Sequence, residues 1–433
     1  MSYAPTTPGE GALLFLGDFN CTLATARCLG QRGIDVALVD RSPWAVARAS
    51  RYVRHFERLP AGRADDFMEW LIERGRGGGR GRRRANFSGR VLFPASDEQV
   101  FLFARHQREL SRYFRLFQPP FDTIYRILNK QRLYEACAHA GVEYPATWYP
   151  RGEAEVRELA PAIHVDVMIK PRTQIQLESK TKGRTISRDG SEVDAYLQFV
   201  RDNHYGPEIS AHDPDIGWPM LQAYHSSRTH RIYGLSGFID SSGKPPAMRA
   251  ATKLLQSPRD MGAGVCFETA PVDRTLAGRV QDLCRELKYY GIFDIEFIEH
   301  NAKFLLIDFN PRVYNQMAFE IARGLPLPYM HYLAALNDRA RLAEVYQSAS
   351  DWQPRGDEAY CDALHLSLLN ATQRIQEAIG GSKSEDWGRW MRQRRHRLTD
   401  PVRLPEDPGP ARLDVIRRCL QSLRNLRSRR GPA

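Results

Sequence analysis

The chain has 433 residues, 42% of them hydrophobic, and a formal net charge of +11 at pH 7. This length predicts about three domains with ordinary globular cores, and no apolar run reaches the roughly 18 residues that a membrane span needs. Seven scattered cysteines without a Cys-x-x-Cys pair argue against a zinc site or a disulfide framework and favour reduced thiols in a cytoplasmic protein.

The positive charge is concentrated in two segments. Residues 74–90 carry +7 and residues 389–433 carry +9, which leaves −5 for the remainder of the total of +11. Charge runs of this kind are usually solvated. We therefore predict that 74–90 is a disordered Gly/Arg insertion and that 346–433 is a basic helical extension. Nucleic-acid binding is not expected, because the Gly/Arg run lacks interleaved aromatic residues.

Residues 10–120 predict a Rossmann-like N-terminal domain. Ala12–Leu16 and Ile34–Val39 have the composition of buried strands, and Thr22–Leu29 between them that of a helix, which together make a βαβ unit. The first turn supplies one glycine, Gly17, where a dinucleotide-binding turn needs Gly-x-Gly-x-x-Gly. The sequence therefore excludes a nicotinamide or flavin site in this turn.

Two lysines mark the beginning of the next region, residues 121–345. Lys130 stands at the start of the predicted helix Asn129–Ala140, and Lys170 ends the apolar strand Val165–Lys170. An ammonium group at the end of an apolar strand is costly unless an anion neutralises it. Lys170 is therefore predicted to face an anionic partner.

Residues 291–316 predict a hairpin around which the rest of the chain is organised. Ile292–Ile298 and Phe304–Asn310 alternate between apolar and polar side chains, and a polar turn joins them as antiparallel neighbours. The alternation predicts a core-facing set and a polar set. The core-facing set is Ile295, Phe297, Leu305, Ile307 and Phe309, and the polar set is Asp294, Glu296, Asp308 and Asn310.

Glu296, Asp308 and Asn310 converge on one side of this hairpin if the register allows. Three oxygen donors at this density are costly to bury without a cation, and hard oxygen ligands suit magnesium. Pro311 ends strand pairing and leaves Arg312 beside the carboxylates, where a guanidinium group can hold phosphate. The alternative interpretation is the solvated polar face of an ordinary amphipathic hairpin.

The motif IEFIE…FLLIDFNPR resembles the metal-binding strands of the ATP-grasp superfamily. The resemblance is closest to the carboxylate–amine ligase branch, which is related to the carbamoyl-phosphate synthetase large chain and to D-aspartate ligase. SRYV…LP after the second strand, NKQRLYEACAHAG at the helix of Lys130, and NPR…GLPLP extend it from about residue 10 to 340.

The resemblance implies an α/β architecture: a Rossmann-like pre-ATP-grasp domain, a two-lobed α+β ATP-grasp domain over 121–345, and a helical C-terminal extension. It implies an ATP-binding, magnesium-dependent ligase, with manganese as an alternative metal. Such an enzyme joins a small-molecule carboxylate to an amine through an acyl-phosphate and releases ADP and phosphate. The sequence leaves open an ATP-binding protein without ligase activity, and an ATP-dependent carboxylase or phosphotransferase.

The resemblance also assigns roles to particular residues. Arg312 and Lys253 would steady the phosphoryl and acyl groups. Metal binding falls to Glu296, Asp308 and Asn310, and nucleotide binding to Lys130, Lys170, Lys182, Gln222, Ala223 and Tyr224, the last three as the adenine hinge.

The sequence departs from the family pattern at several of these positions. Asp308 stands where the family has glutamate, and Asn129 replaces the acid that usually precedes Lys130. The phosphate flap has one glycine, Gly183, and depends on the side chains of Lys180, Lys182 and Arg184. The hinge region lacks the usual ribose-binding glutamate. Its histidines, His225 and His230, are interpreted as separate structural residues.

The last predicted helix, Leu413–Leu426, carries an apolar stripe of Leu413, Ile416, Leu420 and Leu423. This stripe predicts packing either on the body of the protein or on a second subunit, which would make a homodimer.

Overall fold

A computed structural model of the chain describes residues 10–60, 62, 64–77, 86–178, 181–186, 191–226, 230–242, 246–258, 262–378 and 387–429. Within these ranges, no helix is both long enough and apolar enough to span a membrane. Lys180 and residues 78–85 of the predicted Gly/Arg insertion lie outside the described residues.

The N-terminal domain is a four-stranded parallel sheet in the order β3-β2-β1-β4, with helices packed against it. Its core strands are almost fully buried, as their apolar sequences predict. The elements are β1 (Ala12–Phe15), α1 (Asn20–Gly30), β2 (Val36–Asp40), β3 (Val53–Arg58), α2 (Ala64–Gly75), β4 (Val91–Phe93), α3 (Asp97–Arg105) and α4 (Gln107–Leu110), with a 3₁₀ turn at Val46–Ala49.

The ends of the predicted insertion belong to this domain. Arg74 lies in α2, is buried, and donates from Nε to Glu57 at 2.7 Å. Arg90 forms an ion pair with Asp35 and donates to the backbone of the first strand. The prediction of disorder was therefore wrong for these two arginines, because each has a carboxylate partner that sequence spacing does not reveal.

The smaller lobe of the central region is built on a second four-stranded sheet in the order β5-β8-β6-β7, all antiparallel. Its helices cover one face around Val156, Ile169 and Tyr196. The elements are α5 (Phe121–Leu128), α6 (Lys130–His139), β5 (Thr147–Trp148), α7 (Glu153–Ala162), β6 (Val167–Lys170), β7 (Arg184–Ile186), α8 (Glu192–Asp202), α9 (Pro207–His212) and β8 (Met220–Ala223), with a 3₁₀ turn at Pro214–Gly217.

The larger lobe is a seven-stranded sheet in the order β13-β12-β9-β10-β11-β14-β15. The predicted hairpin forms the β13 edge of this sheet, and its turn places Asn301 and Ala302 in the left-handed backbone region. The elements are β9 (Ile232–Ile239), β10 (Ala247–Ser257), β11 (Ala263–Ala270), α10 (Arg274–Leu287), β12 (Gly291–His300), β13 (Lys303–Asn310), α11 (Met317–Ala322) and α12 (Leu327–Ala335).

The C-terminal segment is mostly helical and also contributes the last two strands of the larger sheet. Its last helix packs against the 3₁₀ turn of the N-terminal domain, while Val415, Ile416 and Leu420 remain exposed on its surface. The elements are α13 (Arg339–Asp351), β14 (Ala359–Cys361), α14 (Ala363–Ala378), α15 (Trp387–Arg394), β15 (Leu398–Thr399) and α16 (Gly409–Arg429).

Candidate functional site

The hairpin of β12 and β13 carries the predicted polar cluster in register. Glu296 lies directly opposite Asp308, and Asp294 lies opposite Asn310. Between Glu296 and Phe297 the register shifts, because β13 contains one extra residue at Ile307. Such a bulge leaves a residue outside the ladder and reorients its backbone groups.

The bulge directs the Ile307 carbonyl group toward two lysines. Lys130 Nζ and Lys170 Nζ both donate to this oxygen at 3.3 Å. The same bulge changes the side-chain alternation. Leu306 is fully buried in the main core, and Ile307 lines a cavity. The prediction that Ile307 faces the core was therefore wrong, because strict alternation assumes an unbroken ladder.

A cavity of ≈ 230 Å³ separates the two lobes, and we call it the interlobe cleft. Its walls come from the smaller sheet, the hairpin and the start of α6, and Asp97 of the N-terminal domain also lines it. Of the residues that the structure describes, four cationic side chains face it, against three carboxylates. The charged residues that line it are Lys130, Lys170, Lys182 and Arg312, with Asp97, Glu296 and Asp308.

Both predicted metal-binding carboxylates have lysine partners in the structure. Lys130 pairs with Asp308, and Lys253, which is nearly buried on β10, pairs with Glu296 at 2.5 Å. Burial opposes ionisation of Asp308, but Lys130 and then Lys170 outweigh it and hold the pKa of this carboxyl below its usual range. Asp308 therefore presents an ionised carboxylate to the cleft.

Lys170 is the lysine with the largest conflict between charge and burial. Burial and then the adjacent charge of Lys130, against the opposing effect of Asp308, lower the pKa of its ammonium group to about 7. Among the described residues it has no carboxylate within ion-pair distance, and it donates to the Ile307 carbonyl. An anion entering the cleft would relieve this conflict.

Arg312 connects the hairpin with the N-terminal domain. Its Nε donates to Asp97 at 2.6 Å, and another guanidinium nitrogen donates to Asn310 Oδ1 at 3.0 Å. Asp97 was missed in the sequence analysis, because its only sequence signal is that of an ordinary helix start after Ser96. The N-terminal domain therefore contributes a carboxylate to the cleft wall.

Asp294, the most buried residue of the polar set, is held in place by three hydrogen bonds. It accepts hydrogen bonds from Ser236 at 2.7 Å and Gln316 at 3.1 Å, and Asn310 Nδ2 donates to it at 3.3 Å. Burial, followed by the nearby charge of Glu296, raises the pKa of Asp294 to about 7. The alternation along β12 already placed Asp294 on the face of Glu296, so the sequence contained the signal for this residue.

The helix start at Lys130 explains the departure at Asn129. The Asn129 side chain accepts from the N–H groups of Gln131 and Arg132, and its amide donates to Asp213 at 3.0 Å. Asparagine is among the preferred N-cap residues. Asn129 therefore fixes the first turn of α6, which positions Lys130 at the cleft.

The predicted adenine hinge consists of the last two residues of β8 and Tyr224, which follows them. The N–H groups of Ala223 and Tyr224 donate to the Ala146 and Asp166 carbonyl groups, each at 2.8 Å. The Gln222 side chain is buried and donates to Tyr134 and Thr147. All three hinge residues line the cleft, but the two N–H groups are already engaged within the protein. A base bound there would meet carbonyl groups or replace one of these bonds.

The histidines near the hinge are not separate residues, as the sequence analysis had interpreted them. His225 and His230 meet His300, the last residue of β12, and one nitrogen from each ring lies within 4.8 Å of the others. His300 was missed, although it continues the polar face of β12 that carries Asp294 and Glu296.

Every predicted site residue thus lies in or beside the interlobe cleft. Ten of the eleven line it directly, and Lys253 contacts it through Glu296. The roles of these residues stay predictions.

Comparisons with known proteins give one sequence relative and several structural neighbours. No protein-family model matches the chain. D-aspartate ligase from Enterococcus faecium (strain Aus0004) is 22% identical over 247 residues, which cover 55% of this chain and 56% of that protein. The chain therefore spans little more than half the length of this relative.

Among solved structures, the biotin carboxylase domain of Hydrogenobacter thermophilus 2-oxoglutarate carboxylase has a TM-score of 0.57 at 13% identity, covering 75% of this chain and 69% of that one. Biotin carboxylase from Campylobacter jejuni has a TM-score of 0.56 at 13% identity, covering 76% of this chain and 72% of that one. N5-carboxyaminoimidazole synthetase from Staphylococcus aureus has a TM-score of 0.53 at 12% identity, covering 77% of this chain and 79% of that one. The predicted α/β architecture and the resemblance indicated by the hairpin motif are thereby confirmed, and the chain has the ATP-grasp fold.

Proposed function

We propose that this chain is an ATP- and magnesium-dependent ligase that joins a carboxylate to an amine. The observation that carries the proposal is the convergence of Glu296, Asp308 and Asn310 with lysines from α6 and β6 around one cavity. The similarity to D-aspartate ligase and the MgADP bound to the biotin carboxylase domain of Hydrogenobacter thermophilus support it.

The oxygen donors of the hairpin fit a hard divalent cation. Glu296, Asp308 and Asn310 offer two carboxylates and an amide on adjacent strands, and magnesium prefers such ligands together with phosphate oxygens. When bound, magnesium would neutralise charge on the β- and γ-phosphates. The ion pairs with Lys130 and Lys253 keep both carboxylates positioned.

The side chains of the chain then perform the remaining tasks. Lys130, Lys170 and Lys182 would hold the triphosphate, and Arg312, fixed by Asp97, would steady the transferred phosphoryl group. The substrate carboxylate attacks the γ-phosphorus, and ADP departs. The amine then attacks the acyl carbon, phosphate departs, and loss of a proton completes the amide. No protein nucleophile is required.

Phosphate release from ATP tests the proposal. The full chain would be incubated with ATP, Mg²⁺ and pooled amino acids and small carboxylates, with D-aspartate as the first amine to be tested alone. We expect release of ADP and phosphate in equal amounts that requires both an acid and an amine. Asp308→Asn should abolish it, and Asp282→Asn, an exposed aspartate on α10, should leave it unchanged.

Two other results would favour different functions. Release that depends on bicarbonate in place of an organic acid would favour an ATP-dependent carboxylase, a candidate supported by the bicarbonate bound to the neighbouring 2-oxoglutarate carboxylase domain. Magnesium-dependent ATP binding without release from any pool would favour a nucleotide-binding protein without ligase activity. Absence of magnesium-dependent ATP binding would contradict the site assignment.

A further inference from the structure

Three histidines meet where the two lobes of the cleft join. His230 precedes β9, and the register that pairs Ile298 with Ile232 places His300 directly across from it. His225 comes from the segment after β8 and lines the interlobe cleft. His300 stands four residues beyond Glu296, which is about 13 Å along a strand. The histidine cluster is therefore separate from the carboxylates of the hairpin.

The hydrogen bonds define which ring nitrogens carry protons. The Ser226 carbonyl accepts from His230 Nδ1 at 3.0 Å, so the lone pair of His230 lies on Nε2. His230 Nε2 is 2.9 Å from His300 Nδ1, which donates to it. Asn301 Nδ2 lies 3.1 Å from His300 Nε2 and donates to that atom. Neutral imidazoles satisfy all three of these contacts, and the neutral form is the one that binds metal ions.

The acid next to His300 in the sequence does not belong to this cluster. The adjacent acid, Glu299, lies on the other face of β12 and forms an ion pair with Arg231 at 2.5 Å. Ring packing would not require the nitrogens to converge, yet one nitrogen of each ring lies within 4.8 Å of the others.

We infer that His225, His230 and His300 form a binding site for one transition-metal ion of the Zn²⁺ class. Neutral imidazoles suit zinc and its neighbours, in contrast to the oxygen donors that suit magnesium. Three protein ligands leave a fourth position for water. The hydrogen bond from His230 to the Ser226 carbonyl is the kind of support that orients metal-binding histidines.

Metal binding requires one rearrangement that conserves protons. The proton of His300 moves from Nδ1 to Nε2, and the Asn301 amide turns to present its oxygen to the new N–H group. His225 belongs to the smaller lobe, whereas His230 and His300 belong to the larger lobe. A bound ion would therefore join the two walls of the interlobe cleft.

Zinc binding to the full chain without an affinity tag tests this site. After removal of metals, Zn²⁺ would be titrated in competition with a chromophoric chelator, in millimolar Mg²⁺ so that the hairpin carboxylates are occupied. We expect one ion per chain. His230→Ala and His300→Ala should each weaken binding at least about 10-fold, and His164→Ala, which removes an exposed histidine, should not.

Two further measurements keep the test decisive. Co²⁺ should give visible absorption bands of a nitrogen-ligated ion, and these should disappear in His225→Ala, a change outside the strands. Asp308→Asn should retain full zinc affinity. If His225→Ala, His230→Ala and His300→Ala all bound zinc as tightly as the parent protein, the inference would be overturned. It would also be overturned if Asp308→Asn abolished zinc binding.

Discussion

The interlobe cleft and the junction between the N-terminal domain and the C-terminal segment both contain ion pairs, but the pairs differ in burial and in the number of hydrogen bonds that support them. At the junction, Arg27 Nε donates to Asp407 at 2.9 Å, and its other nitrogens donate to the Pro401 and Val402 carbonyl groups. Asp407 also accepts from Ser50 at 2.7 Å. Both charges are buried, and almost every hydrogen-bonding position is used.

In the cleft, the pairs of Lys130 with Asp308 and Lys253 with Glu296 border a cavity. The Asp308 side chain is 42% exposed and that of Asp407 1% exposed, although both are ion-paired. A saturated pair can only be broken, whereas a pair beside a cavity can exchange its partner for a ligand. We therefore expect substitutions in the cleft to change activity and substitutions at the junction to change stability.

The largest effect is expected from Glu296→Gln. This change keeps the size of the side chain and removes the charge opposite Asp308, so ATP-dependent phosphate release should fall at least about 100-fold. The free energy of unfolding, measured by urea denaturation, should also fall, because the nearly buried Lys253 loses its carboxylate partner. Glu299→Gln on the opposite face of β12 is the matched control. A loss of stability with retained turnover would assign Glu296 to structure.

The junction should give the opposite result. Asp407→Ala leaves the Arg27 guanidinium buried without its carboxylate, and breaking a buried pair in this way costs about 3–5 kcal/mol of unfolding free energy. Phosphate release at a temperature where the variant is folded should be close to that of the parent protein. Glu406→Ala, at the exposed neighbouring position, controls for the loop itself. Unchanged stability would show that the junction does not contribute to folding.

Lys170 provides a third test of the difference between the cleft and the junction. It is a cation in the cleft with no carboxylate partner among the described residues. Lys170→Met should weaken ATP binding at least about 10-fold, because a charge-assisted contact to phosphate is lost. The same change should raise the melting temperature, since a lysine whose pKa burial lowers is destabilising when charged. Arg201→Met, at an exposed position of α8 outside the cleft, is the control. A lower melting temperature with unchanged ATP affinity would contradict the prediction.

The sequence predicted the parts of the site that depend on local pattern. The hairpin follows from the alternation of apolar and polar residues, and the role of the lysine at the end of β6 follows from the cost of burying its charge. The bulge at Ile307 was not predictable in this way, because it depends on a register shift between two strands. It nevertheless decides which backbone oxygen the two lysines contact.

The missed residues share a different cause. Asp97 approaches Arg312 across 215 positions of sequence, and His300 approaches His230 across 70. Neither contact can be predicted from a single sequence. The first depends on how the domains dock, and the second depends on the strand order of the sheet. Asp407 and Arg27, 380 positions apart, were missed for the same reason.

The smallest effect concerns His331, a buried titratable residue outside both regions. It lies between Phe93 and Phe117, near the Leu92 carbonyl, and burial lowers the pKa of its imidazole to about 4. The unfolded chain takes up this proton near pH 6.5, whereas the folded chain does not until about pH 4. Stability is therefore fully present above pH 6.5 and is lost as the pH falls toward 4.

His331→Gln should remove this part of the pH dependence. Between pH 7.5 and pH 5.5 the parent protein should lose about 1.4 kcal/mol more unfolding free energy than the variant, as measured by urea denaturation at both values. The other titrating groups are common to the two proteins and cancel in the difference. An identical loss in both proteins would mean that His331 takes up its proton in the folded chain as readily as in the unfolded one. The His331 site would then resemble the cleft, where charged groups can exchange their partners, and would differ from the junction, where they cannot.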